Sequence, residues 1–168
     1  DTRLTEEVSK WMECRDNAQS VKAIDAELEL SDKRVGLVPC HECGQEHALS
    51  FDHLHCPEDP DYQHEVYGNH RPEQSYYACP HCGAIWDDNQ KNANLKRGRW
   101  EATAEFRGIA GYILNELYAT FYGSRFEVLM EKKLQAEHAA AQGNIGPMIA
   151  YVNSSKGESY EYQSDAPK

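Results

Sequence analysis

Apolar residues fall in short sets along this chain, and their spacing changes character from one end to the other. Leu4, Val8, Trp11, Met12 and Arg15 recur at three- and four-residue intervals, with Glu6 and Glu7 where a helix N-terminus favours negative charge. Val21, Ile24 and Leu28 continue that period after Ser20, a suitable N-cap, so helix is predicted through most of the first thirty residues. Val35-Gly36-Leu37-Val38 then reads as a short strand, and Ala48, Leu49 and Phe51 supply the apolar positions of an alternating stretch over 45–51.

Between residues 52 and 75 the periodicity stops. Pro57, Pro60 and Pro72 break the chain, Glu58, Asp59 and Asp61 make it acidic, and His53, His55, His64 and His70 are scattered through it. This predicts a long surface insertion between two strands. Order resumes at Ser75-Tyr76-Tyr77-Ala78 and Ala84-Ile85-Trp86. Tyr112-Ile113-Leu114 predicts a buried strand within 107–118, and Ser124 with Glu127 has the spacing of a capping box. Phe126, Met130, Leu134 and Ala141 mark the face of the helix that follows, Gly143 its stop, and Pro147 the first turn of another through Met148, Ile149 and Val152. From Ser154 the tail is polar.

Cysteine spacing adds chemistry to this outline. Four of the six cysteines form two pairs of one type, Cys40-His41-Glu42-Cys43-Gly44 and Cys79-Pro80-His81-Cys82-Gly83, while Cys14 and Cys56 stand alone. Two thiolates at this spacing lie on one side of a tight turn and share a tetrahedral ion, and the glycine lets the backbone turn its amides towards sulfur. Without a secretory signal the pairs read as metal ligands rather than disulfides. One structural Zn2+ on Cys40, Cys43, Cys79 and Cys82 is the expectation, with iron in the same cage the alternative metal. Four protein ligands leave no open position for water, and such a site contributes on the order of 10 kcal/mol to folding. The insertion histidines with Cys56 have no recognised ligand spacing and read as loop side chains.

Charge narrows the function classes. The formal net charge is -11 and the mean hydropathy -0.79, so the chain as a whole repels nucleic acid, and no apolar run approaches membrane-spanning length. A local exception is the cluster Lys91, Lys96, Arg97, Arg99 and Arg107, set against Glu101 and Glu105 and interleaved with Trp100. Within it Lys96, Arg97 and Arg99 are the candidates for tracking a phosphate backbone. No phosphate-binding loop and no nucleophile elbow is present, and Asp87-Asp88 read as loop charges. The chain opens on Asp1 and reads as a piece of something larger.

From about Ile24 to Tyr162 an ordered series of segments resembles one family. The series runs Ser31-Asp32-Lys33-Arg34, Val38-Pro39-Cys40 with the first pair, Cys79-Pro80-His81-Cys82-Gly83, Gly98-Arg99-Trp100, Gly108-Ile109-Ala110-Gly111-Tyr112-Ile113-Leu114-Asn115-Glu116-Leu117-Tyr118, and Tyr151-Val152-Asn153 with Gly157-Glu158. Together they resemble the large subunit of bacteriophage DNA-packaging terminases of the lambda-like GpA family. The first pair has Cys-His-Glu-Cys where the family often has Cys-Pro-His-Cys, and Ser159 stands where proline is common.

The resemblance implies a protein with an ATPase motor and a metal-dependent nuclease that cuts viral DNA and drives it into a capsid. This chain would be the later part of the motor domain with its zinc ribbon. The phosphate-binding loop would lie upstream and the nuclease carboxylates downstream, so no catalytic residue is carried over and enzyme activity is left undecided. The implied partners are viral double-stranded DNA through the intact motor, other terminase subunits and the portal, with no membrane, in the cytoplasm of the infected host.

The expected class is thus α+β, a zinc ribbon attached to an incomplete α/β motor-domain segment with flanking helices. The expected division is a helical segment over 1–34, the ribbon over 35–87 with its insertion at 52–75, a strand-helix segment over 88–153, and a polar tail over 154–168. The alternatives are a self-contained zinc-ribbon adaptor or regulator, which binds protein or nucleic acid, and a hydrolase with a second metal among the insertion histidines.

Overall fold

The computed structural model describes residues 18–161, so the apolar series from Leu4 to Met12, Cys14 and the end of the tail lie outside the described residues. The fold mixes helix and sheet, as expected, in two compact units. No helix among the described residues is long and apolar enough to cross a membrane.

The first unit takes in α1 (Ala18–Leu30) up to Arg34, together with Ala102–Tyr112. Helix is already present at Ala18, so Ser20 lies inside α1 rather than capping it. Ile24 and Leu30 are exposed. The buried Asp32 organises the unit: its carboxylate accepts from Arg34 Nε at 2.7 Å and from the Gly111 amide at 3.1 Å. Burial alone would raise the pKa of that carboxyl, but these two donors outweigh it and hold the group below its ordinary value.

The second unit joins Val35–Glu101 to the chain from Ile113 onwards. Strands β1 (Arg34–Pro39) and β2 (Glu46–Ala48) form an antiparallel hairpin that pairs Val38 with His47. β1 also pairs with β6 (Arg99–Ala102) and β7 (Tyr112–Ile113). A second sheet has the order β3 (Leu54–His55), β4 (Tyr76–Ala78), β5 (Ile85–Trp86), and Tyr77 pairs with Leu54 on one side and Trp86 on the other. Helix α2 (Asp88–Leu95) follows β5, and α3 (Phe126–Ala141) precedes a short α4 (Gly146–Ala150) that runs into a π-helical turn at Tyr151–Ser155. Pro147 sits in the first turn of α4, where a missing amide hydrogen is harmless.

Several expectations change for physical reasons. Tyr112-Ile113-Leu114 is not buried: β7 is two residues long, with both exposed, as is Leu114. Alternation at 45–51 buries His47 and Leu49, leaving Ala48 exposed. Ser124 does not cap α3, because its hydroxyl bonds to Glu116 Oε1 at 3.0 Å. Phe126 N instead donates at 2.9 Å to Asp88, a side chain from α2. The capping box is at Asp87 and Gln90, which exchange bonds of 2.7 and 2.9 Å, so the adjacent acids are helix caps rather than loop charges. The insertion belongs between β3 and β4, since Leu54 is buried and paired, and it is held by bridges joining Glu58 to His70 and His64 to Gly68.

Candidate metal centre

Each cysteine pair sits at the tip of a hairpin, and the two tips share one local geometry. At the first, Cys40 N donates to Gln45 O and Gly44 N to Cys40 O, at 3.0 and 2.9 Å; at the second, Cys79 N donates to Ala84 O and Gly83 N to Cys79 O, both at 2.9 Å. Gly44 and Gly83 have φ of 73° and 75°, a conformation that other residues adopt only with strain. Within each turn the amide two residues on points at the first sulfur, Glu42 N to Cys40 Sγ and His81 N to Cys79 Sγ, both at 3.4 Å.

The two hairpins belong to different sheets, and packing in a shared core brings their tips together. The four sulfurs all lie within 4.8 Å of one another, with Cys40–Cys82 and Cys43–Cys79 both at 3.8 Å. A tetrahedral ion with metal–sulfur bonds of about 2.3 Å separates its sulfurs by about 3.8 Å, so the arrangement fits such an ion. Cys40 and Cys79 are buried while Cys43 and Cys82 are exposed, which gives the cage an inner and an outer edge.

The electrostatics show what the sulfurs need. Burial opposes ionisation of Cys40, yet the amides of Cys43 and Glu42 and the Trp86 side chain bring its pKa down to about 6. At Cys82 the Ala84 amide favours the thiolate, but loss of solvent and the neighbouring thiols push the value up to about 12. Four sulfurs this close cannot all carry negative charge unless a cation sits among them. Trp86 points the same way: its indole N–H is buried without a hydrogen-bond partner among the described residues, and it favours the Cys40 thiolate.

Aromatic residues and histidines wall the inner edge. His47 stacks on Tyr77 with ring centroids 5.8 Å apart and bonds through Nε2 to the Tyr77 hydroxyl at 2.9 Å. Burial, then the nearby His53 and His81, lower its pKa to about 4, so it is neutral at physiological pH. His41 is anchored at 3.0 Å by Asn94, a buried residue of α2. Neither His47 nor Asn94 was singled out by sequence reasoning. Alternation along β2 is the signal for His47, but the polar sequence of α2 gives none for Asn94.

The remaining candidates do not gather. Among the described residues the four thiols are the group found close enough to hold a metal, and the insertion histidines go elsewhere. His64 Nδ1 accepts from the amides of Val66 and Tyr67, His70 pairs with Glu58, and His55 packs on Tyr76. In the basic cluster Lys91 is buried, Arg97 bonds to Asn94 at 2.6 Å, and Arg99 pairs with Glu46 at 2.9 Å and Glu101 at 3.6 Å. Lys96 is exposed.

Two comparisons with known families bear on this geometry. The family model described as phage terminase large subunit gpA, ATPase domain, matches residues 7–100, more than half of the chain and all four clustered cysteines. The model described as terminase large subunit gpA, endonuclease domain, matches residues 109–168, a stretch that sequence reading attached largely to the end of the motor. No curated protein and no solved structure matches the chain. On the strength of the two ordered family matches, the chain belongs to the phage terminase large subunit gpA family.

Proposed function

We propose that this chain is a zinc-stabilised piece of a phage DNA-packaging motor, in which Cys40, Cys43, Cys79 and Cys82 hold one structural Zn2+. The observation that carries the reading is the four-sulfur cage, with two edges of 3.8 Å and all sulfurs within 4.8 Å, inside the stretch that matches the gpA ATPase domain. Zinc suits an all-thiolate tetrahedral site, and a closed set of four ligands gives the ion a structural role with no position for a reacting water. The chain performs no catalytic step by itself and supports translocation or subunit contacts within the intact terminase. Its partners there are viral double-stranded DNA, other terminase subunits and the portal, in the cytoplasm of the infected host.

Lys96, Arg97 and Arg99 are the nucleic-acid candidates, with unequal claims. Arg99 is already paired with Glu46, whereas Lys96 and Arg97 are exposed and make no ion pair among the described residues. Replacing all three by glutamine in the intact motor should weaken DNA binding and flatten its salt dependence. An unchanged affinity would remove them from the interface.

The metal assignment is tested by mass spectrometry of the purified chain, with circular dichroism before and after chelation. One zinc per chain, and loss of structure once it is stripped, is the expected result. Zinc that leaves without structural change would show that the ion is not a folding element. Absence of metal from protein purified in zinc-supplemented medium would remove the assignment.

A further inference from the structure

The two family matches do not correspond to two separate bodies. The ATPase match ends at residue 100 and the endonuclease match begins at 109, yet the second compact unit contains residues from both. One hydrophobic core runs through it: Val38, Leu54, Tyr77 and Trp86 from the ribbon side pack with Leu117, Phe126 and Leu129 from the endonuclease side. Polar contacts bind the same two parts. The Tyr118 hydroxyl donates to Gly36 O at 2.7 Å and accepts from Leu49 N at 2.9 Å, and Asn115 Nδ2 donates to Leu49 O at 2.8 Å. From α2, Lys91 Nζ donates to Leu117 O and Ala119 O, and Asp88 caps α3 at Phe126 N.

The cysteine cage lies at one side of that shared core. Cys40 and Cys79 are themselves members of it, and so is Tyr77, whose ring lies 4.9 Å from that of Trp86 and 6.3 Å from that of Phe126. We propose that the four-cysteine ribbon is the seat on which the first part of the endonuclease domain folds, so that motor and nuclease are joined there as one rigid piece. This inference rests on the metal reading above and names the ribbon's partner as the segment 115–134 of the same chain. Its consequence is reciprocal: an ion that orders the ribbon also orders α3, and whatever loosens α3 loosens the ion.

Hydrogen exchange followed by mass spectrometry on the full chain tests the coupling, with and without chelator. Removing zinc should speed exchange of the α3 amides around Leu129 and Met130 at least about tenfold, as expected when a stable segment loses its packing surface. In the reverse direction, Lys91→Met should speed transfer of zinc to a chromophoric chelator by a similar factor, although Lys91 touches no cysteine. Should that variant not fold, Asp88→Asn, which weakens the α3 cap and the ion pair with Arg125 and leaves the Lys91 hydrogen bonds in place, serves instead. Unchanged α3 exchange after the zinc has left would overturn the coupling and leave the metal site standing. Failure of the chain to take up zinc would overturn both.

Discussion

Lys91 extends from α2 to the carbonyl oxygen of Ala119 at 2.7 Å, and it does so with a side chain that is 1% exposed. Its second acceptor is Leu117 O at 3.1 Å, and its ammonium lies 5.8 Å from the Phe126 ring centroid. A buried ammonium is tolerated only when its donors are used. Burial lowers its pKa, against a smaller opposing effect from Asp88. Lys91→Met keeps the apolar stem but leaves two carbonyls without their donor, which should destabilise the chain by about 1–3 kcal/mol in urea unfolding. An unchanged midpoint would mean that water replaces the ammonium at no cost.

Glu116 gives the acid-side dependence. Burial would raise its pKa, but Lys132 at 2.7 Å, Ser155 and Ser124 at 3.0 Å overcome that and hold it below its ordinary 4.5. A carboxylate depressed in this way stabilises the fold fully above pH 4.5, and the contribution is lost as pH falls below 4.5 through the folded value. Glu116→Gln should therefore be less stable than the parent at neutral pH by at most about 1 kcal/mol, since Lys132 is partly exposed. The difference should shrink as the pH falls below 4.5 and vanish once the folded value has been passed, in paired thermal melts. A gap that stays constant as the pH falls through the acid range would assign the effect to packing rather than charge.

Trp86 is the test of how the sulfurs are tuned. Its indole N–H is buried without a hydrogen-bond partner among the described residues and favours the Cys40 thiolate electrostatically. Trp86→Phe preserves an aromatic ring beside Tyr77 and His47 while deleting the donor. Affinity for zinc should drop by about 10- to 100-fold, the usual effect of losing a partner one shell out from a metal. Cobalt substitution would report the same change as a shift of the thiolate charge-transfer band. Equal affinity and an unmoved band would show that the indole only fills space.

The cage was legible because its rule is local: two identical Cys-x-x-Cys-Gly turns specify their own geometry, and Gly44 and Gly83 adopt the predicted conformation. Strands at 35–38, 76–78 and 85–86 were legible from short apolar runs, and α3 from its periodic face. Helix α2 was not, because Asp88–Leu95 is held by its capping box and by the buried polar groups of Lys91 and Asn94, which leave no apolar stripe. The Ser124 cap failed because Asp88, far off in sequence, supplies the bond at the start of α3. His47 reads as polar surface in sequence, but opposite Val38 it faces inward, where Tyr77 satisfies its Nε2.

Gly157 offers a prediction at the other end of the endonuclease match. It has φ of 67°, and a Cβ added there would stand 2.6 Å from the carbonyl oxygen of Leu114, a backbone atom that cannot swing aside. Just beyond it, Glu158 N closes the turn on Val152 O at 3.0 Å. Gly157→Ala thus meets a strained backbone conformation and a steric clash together, and should destabilise the chain by about 1–3 kcal/mol. Because residues 112–118 contribute Asn115 and Tyr118 to the contacts with Leu49 and Gly36, the loss should appear there as well. Hydrogen exchange at 113–118 should rise in the variant, and transfer of its zinc to a chelator should quicken with it. A variant with parental stability would mean that the Leu114 carbonyl moves away freely, and the turn at 157 would then have no part in holding the endonuclease segment on the ribbon.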